Sequence, residues 1–256
     1  MKIQAIIKNG LLFLGSILYR NHRSKIIFYH DFYIGKGYVA PDCGVVMGTQ
    51  MDVFKKHLEV FKKEGYKIVP RISSANGEIA IMLDDGFHGV YENRQFFYDN
   101  KIYPTIFLAH DLIGRPGFLA ENEILELQSH GFIFECHGWT HTSLANKSDE
   151  QLSVELGKSK EYLSKILSKE VTELCLPIGY YTDHLLEIIK DYGYTTVYSS
   201  IPGNFYEKIH GCLTPRILCQ FASPLEVKLF IRGGGEIIKS RYFRLHHLPN
   251  YQQYQQ

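Results

Sequence analysis

Residues 79–87 read Ile-Ala-Ile-Met-Leu-Asp-Asp-Gly-Phe. Five apolar residues run straight into two carboxylates and a glycine. A short run that is apolar throughout, without alternation, predicts a strand covered on both faces. Asp-Gly is a strong turn signal, so Asp84-Asp85-Gly86 in isolation reads as a turn and nothing more. Two adjacent carboxylates repel each other, however, and burying them is costly unless a cation or hydrogen bonds compensate. Working outward, the same kind of run recurs. Strands are expected at 25–30 (KIIFYH), 79–83, 105–109, 132–136, 174–176 and 195–198. Helices are expected at 50–64, where Phe54, Leu58 and Phe61 recur at i, i+4 and i+7 ahead of Gly65, and at 91–100, 121–130, 149–168, 183–192 and 224–232. This alternation predicts an α/β protein, with a mostly parallel sheet and helices outside it. Polar residues directly follow several strands: His30 and Asp31, Asp84 and Asp85, His137 and His141, and Pro177–Gly179. In a barrel that rim carries the chemistry. The pattern is barrel-like but does not count the strands.

A chain of 256 residues suits a single domain, since α/β barrels commonly run to about 200–250 residues as one unit. Apolar residues make up 45 % and charged residues 21 %, as in ordinary globular proteins. A net charge of +1 with only small basic clusters leaves no electrostatic footprint for nucleic acid. The 18 Tyr and 16 Phe are mostly core, and also suit a groove for sugar rings. Five cysteines, an odd number with no CxxC, point to reduced thiols. Residues 10–19 (GLLFLGSILY) are apolar, with Lys2 and Lys8 before them and Arg20 after. The run is shorter than the ~20 residues that span a bilayer, and no small-x-small cleavage pattern follows. It reads as a helix that packs on the domain or rests on a membrane surface, with an export signal or anchor as the alternative. A cytoplasmic or membrane-peripheral location is favoured, with export left open. The expected organisation is an apolar helical segment at 1–24, a barrel at 25–245 and a polar tail at 246–256.

After the strand FIFEC comes His137-Gly-Trp-Thr-His141. Two histidines four apart can address one ion from a helical turn or a tight loop, and imidazole suits zinc and similar divalent metals. The chain has 12 His, so a chance pair is a fair alternative for this motif alone. With Asp85 it makes a His2Asp set, the three protein ligands and open positions that a catalytic metal site wants. Ser199-Ser200 has no nucleophile-elbow context.

LDDGF, ECHGWTH and LCLPIG, in that order, resemble the motifs of the polysaccharide deacetylase (NodB-homology, carbohydrate esterase 4) family, over about residues 25–217. The resemblance implies a distorted (β/α)7-type barrel. It implies that Asp84 is the catalytic base and that Asp85, His137 and His141 bind a divalent metal, zinc first, with cobalt or manganese as alternatives. It also implies that the backbone N–H of Ile178 helps hold an oxyanion. Two positions depart from the family pattern. Cys175 stands where the third motif usually has an arginine that orients the base. Arg216, in LTPRI, is the candidate to supply that guanidinium, with an ordinary surface or structural arginine as the alternative. The family's late Leu-x-His motif, which supplies the acid, has one late match, Leu245-His246-His247. That match follows the last expected helix and Gly233–Gly235, outside the barrel. Phe28-Tyr29-His30-Asp31 resembles the same motif moved to the N-terminus, as in circularly permuted members, and makes His30 the expected general acid. Trp139 lines the cleft or packs beneath the loop, and His88 and His110 read as structural. The implied activity is removal of N-acetyl groups from hexosamines of a surface polysaccharide or its precursor. The alternatives are an O-acetyl esterase using the same site and a silent carbohydrate-binding protein. The implied partner is an acetylated poly- or oligosaccharide.

Overall fold

The apolar runs become parallel strands. The computed structural model describes residues 2–39, 41 and 47–246. Its strands are β1 (Lys25–Tyr29), β2 (Asp31–Tyr33), β3 (Gly48–Gln50), β4 (Lys67–Val69), β5 (Glu78–Leu83), β6 (Thr105–Leu108), β7 (Ile133–Cys136), β8 (Glu173–Cys175), β9 (Thr196–Tyr198), β10 (Leu213–Thr214) and β11 (Ile217–Leu218). The main sheet has the order β10-β9-β8-β7-β6-β5-β1-β11, with β4 beside the first half of β5. The two ends of this path are halves of one stretch, interrupted at Pro215-Arg216. Leu213 and Thr214 pair with β9, and Ile217 and Leu218 pair with β1. The sheet thus curls until both edges meet in a single broken segment. Counting that segment once, the barrel has seven staves, as the family resemblance implies. Proline cannot donate to a ladder, so Pro215 is tolerated where the stave breaks.

Period-2 alternation sends the strand side chains to two places. Ile27, Tyr29, Ile79, Ile81, Leu83, Ile106 and Phe134 face outward and form the large core with the helices. Ile26, Phe28, Ala80, Met82, Phe107, Cys175 and Tyr198 face inward and form a smaller cluster inside the barrel. Both faces are buried, which is why the runs lack polar alternation. Phe54, Phe61 and Phe97 seal the outer core with no exposed surface, each contributing roughly 1.5–3 kcal/mol by burial.

The expected helices form, with two interruptions. The one expected at 91–100 is split at Asn93 into Gly89–Glu92 and Arg94–Asn100. The one expected at 149–168 carries a π-helical turn, Ser153–Lys158, between Asp149–Leu152 and Ser159–Leu167. The short pair β2–β3 and the strands β4, β10 and β11 were not anticipated. Nor was Glu236–His246, a helix that follows the one expected to be last. The glycine run before it reads as a terminator, but only Gly233 takes a left-handed conformation, φ 100, and the chain kinks and resumes. Leu245 and His246 therefore end a helix. His247, the tail at 247–256 and Cys43 lie outside the described residues. The four described cysteines are free. Residues Lys2–Leu18 form a helix, and no helix among the described residues is long and apolar enough to cross a membrane.

Candidate functional site

A pocket of about 360 Å³ opens at the C-terminal ends of the staves, lined by His30, Asp84, Asp85, His137, His141, Ile178 and Arg216. The fold assembles them from five places. His30 follows β1, the two aspartates follow β5, the histidine pair follows β7, Ile178 follows β8, and Arg216 sits in the break of the closing stave.

Asp84-Asp85-Gly86 is a turn, and it is more than a turn. The Asp84 N–H donates to Tyr29 O at 3.1 Å, adding one rung to the β1–β5 pairing. Asp85 then takes φ 71 and Gly86 φ 75, so the chain reverses and both carboxylates remain at the mouth. Asp85 Oδ1 lies 2.8 Å from His141 Nε2 and 3.2 Å from His137 Nε2. Neither contact has hydrogen-bond geometry, and Oδ1 is left buried without a hydrogen bond. An unsatisfied buried acceptor is costly. The donor atoms of Asp85, His137 and His141 lie within 4.8 Å of one another. One carboxylate and two imidazoles facing a common point fit a divalent cation. His137 Nδ1–H donates to Cys175 O at 2.8 Å, which leaves the Nε2 lone pair for that point. Burial alone would raise the Asp85 pKa, but the imidazoles of His137 and His141 outweigh it and hold the carboxyl well below its ordinary range.

The histidine pair sits on a tight loop rather than a helical turn, with Gly138 at φ 80 and His141 at φ 56. A buried acid, Glu155, ties this loop down. Its Oε2 accepts from Trp139 N at 2.7 Å and Thr140 N at 3.1 Å, and a Cβ on Gly138 would come within 3.0 Å of it. The π-helical turn holds Glu155, and such turns often mark functional segments. Sequence reading missed this residue. Its signal is an acid on the same helical face as the buried Leu152, Leu156, Ser159 and Leu163.

Arg216 is 1 % exposed, so the surface alternative does not hold. Nη1 and Nη2 each reach one Asp84 carboxylate oxygen at 2.7 Å, a two-pronged charge-assisted pair. Nε donates to Ser199 O at 3.1 Å, and Nη2 lies 2.9 Å from Cys175 Sγ. The guanidinium also lies 4.1 Å from the Phe28 ring centre, a cation–π contact. The small Cys175 side chain leaves room for this approach. Burial would raise the Asp84 pKa, but Arg216, with help from His137 and His30, holds it below the ordinary value. Asp84, His137 and Cys175 form a second converging group, but Arg216 already engages both Asp84 oxygens.

His30 is half-buried, and its Nδ1–H donates to Gln220 Oε1, a partner that no local sequence signal announces. Ile178 takes φ 63, ψ −17, a strained choice for a β-branched residue, and its side chain is exposed at the mouth. Met47, Leu176, Leu218 and Phe221 complete an apolar rim. Trp139 is absent from that lining. It stacks on His110 at 3.5 Å between ring centres, with Tyr162 beside it, so the packing alternative holds. His88 sits between Glu92 and Glu123.

Residues 72–197 match the family model described as "Polysaccharide deacetylase". The chain is 24 % identical over 161 residues to the Bacillus subtilis (strain 168) protein named "Putative polysaccharide deacetylase YxkH". That match covers 59 % of this chain, which thus spans about 58 % of the length of that relative. Among solved structures, the Streptococcus pyogenes deacetylase PplD in complex with acetate superimposes with a TM-score of 0.70 at 19 % identity, covering 82 % of this chain and 98 % of its own. IcaB from Ammonifex degensii gives 0.68 at 17 %, covering 83 % and 98 %. A polysaccharide deacetylase from Bacillus cereus gives 0.69 at 22 %, covering 82 % and 69 %. At these identities the likeness is one of fold.

Proposed function

Residues 72–197 belong to the polysaccharide deacetylase family, and on that premise we propose that the chain is a metal-dependent deacetylase that removes N-acetyl groups from hexosamine residues of a surface polysaccharide or its precursor. The observation that carries this reading is the buried Asp85 Oδ1, faced by two imidazoles without a hydrogen bond, next to a second carboxylate clamped by a guanidinium.

Asp85, His137 and His141 would hold the divalent ion. The two imidazoles favour zinc, with cobalt or manganese as alternatives, and the ion supplies Lewis acidity for the acetyl carbonyl and for water. Asp84 takes the proton from the attacking water. Arg216 keeps that carboxylate ionised and aimed, since a charged partner on both oxygens favours the anion. The N–H of Ile178 donates to the developing oxyanion, and its left-handed backbone supports that role. His30 then protonates the departing amine. With Nδ1–H held by Gln220, the proton it delivers is the one on Nε2. A general acid at this place suits an amide substrate, because an expelled amine needs that proton more than an alkoxide does. The reading as a circularly permuted member rests on the place of His30, which follows the first stave, β1, and not the last. A base, a ligand trio and a candidate acid around one pocket speak against a silent binding protein.

The test combines elemental analysis with acetate release from panels of N-acetylated and O-acetylated oligosaccharides. Wild type should bind one divalent ion and prefer the N-acetylated panel. Asp85→Ala and His137→Ala should keep the fold and lose the ion. Undiminished metal in both variants, or no acetate from any substrate, would sink the reading.

A further inference from the structure

The helix Lys2–Leu18 has two unlike faces. Leu12 and Ser16 on one face are buried, and Gly15 packs so tightly that a Cβ on it would come within 2.7 Å of Gly234 O. Lys8 adds an ion pair with Glu226 at 2.8 Å. The helix is therefore docked on the barrel in one orientation. That orientation turns Ile7, Phe13, Leu14, Ile17 and Leu18 outward, followed by Tyr19, each 46–62 % exposed. Among the described residues, six of the fourteen exposed large apolar side chains are in this one segment, so the stripe is a concentration and not scatter.

Charge indicates what covers it. Residues 1–30 hold Lys2, Lys8, Arg20, Arg23 and Lys25 and no Asp or Glu; Lys8 is paired with Glu226, Arg23 with Glu207 and Lys25 is buried, which leaves Arg20 exposed at the end of the stripe. Past the end of the helix, a cleft of about 270 Å³ is lined by Arg20, Asn21, His22, Glu64, Tyr66 and Arg232. Glu64 is taken up by Arg232, at 2.5 and 2.9 Å, while Arg20 and His22 are exposed. A second copy of the chain would bring two such stripes together with an exposed Arg20 at the end of each. A bilayer with anionic headgroups offers both an apolar layer for the stripe and negative charge for its basic end. The helix has 17 residues, which suits lying in the interface better than spanning it.

We propose that the outward face of Lys2–Leu18, with Arg20 at its end, seats the protein on an anionic lipid surface. The inference stands on this helix alone and does not depend on the deacetylase reading. Purified full-length protein is floated with vesicles of phosphatidylcholine alone and of phosphatidylcholine mixed with phosphatidylglycerol. It should float with the mixed vesicles and bind less as salt rises, since screening shortens the reach of the basic groups. Phe13→Ser/Ile17→Ser should lower the bound fraction roughly tenfold or more, because apolar burial drives insertion. Arg20→Glu should lower it by roughly fivefold or more. Both variants should keep the wild-type circular dichroism and melting curve, because the altered side chains are exposed. Acetate release from a soluble oligosaccharide should also be unchanged, which separates this inference from the catalytic one. Failure to float with either vesicle, equal binding to both, or full binding by the double-serine variant would overturn it. A lipid-free dimer that Phe13→Ser/Ile17→Ser abolishes would also overturn it, assigning the face to a second copy.

Discussion

Asp84 and Asp85 crown one end of the barrel interior; Glu135 and Glu173 fill the other. All four carboxylates are buried. Between the pairs lies the apolar layer of Ile26, Phe28, Ala80, Met82, Phe107 and Tyr198. At the glutamate end every oxygen has a donor. Glu135 Oε1 accepts from Lys169 Nζ at 2.6 Å, and Oε2 from the N–H groups of Thr172 and Glu173 at 3.1 Å each. Glu173 accepts from Arg71 through Oε1 and from the Tyr198 hydroxyl through Oε2 at 3.0 Å. At the aspartate end, Arg216 serves both oxygens of Asp84, while Asp85 Oδ1 has no hydrogen bond. Buried charge is therefore not what distinguishes the candidate site, since both ends have it. The distinguishing feature is charge left for something else to satisfy.

The contrast breaks most sharply at Asp84. Asp84→Asn should keep the metal and lose ~10²–10⁴-fold in turnover, the usual contribution of a general base, as read by acetate release beside elemental analysis. Near-normal turnover would put Asp84 in the same structural class as Glu135. Next is Arg216→Met, which leaves the Asp84 charge buried and unpaired. Urea denaturation should show a loss of about 3–5 kcal/mol, and a loss under about 1 kcal/mol would mean that the clamp is not what keeps Asp84 charged.

His57 tests the satisfied class outside the barrel. It is fully buried, its Nε2–H donates to Ala222 O at 3.0 Å, and its Nδ1 accepts from the Tyr29 hydroxyl at 2.9 Å. The bond accepted at Nδ1 requires the neutral ring, and burial pushes its pKa down from 6.5 to about 4. Below pH 6.5 the unfolded chain takes a proton that the folded one refuses. Stability should therefore fall as pH drops from 6.5 toward 4, by at most about 3 kcal/mol. Denaturation midpoints across that window should slope in wild type and flatten in His57→Phe; equal slopes would remove His57 from this role. The smallest effect is expected from Glu135→Gln, which mismatches one end of the carboxylate for about 1–3 kcal/mol and leaves metal content unchanged. If it lowers metal content, the two ends are not separate.

Much of the fold was legible because its signals are local. A strand covered on both faces writes itself as an unbroken apolar run, and an amphipathic helix as i, i+4, i+7 spacing. Asp84 and His137 stood out because each follows such a run directly, with Asp85 and His141 within four residues of them, and all four carry metal or proton chemistry. The short strands β10 and β11 did not, because two-residue pieces around Pro215 carry no period. Glu155 was hidden inside a helical pattern whose π-helical turn leaves no compositional mark.

By itself, then, the sequence determined the alternation of strands and helices and the polar residues at the strand ends, since both depend on neighbours a few positions apart. Only the tertiary structure decided that Arg216 grips Asp84 across 132 positions, that Gln220 holds His30 across 190, and that Asp85 Oδ1 is buried without a hydrogen bond. Those relations exist only once the broken stave at 213–218 joins β9 to β1. Closing the barrel brings the distant residues together around one pocket.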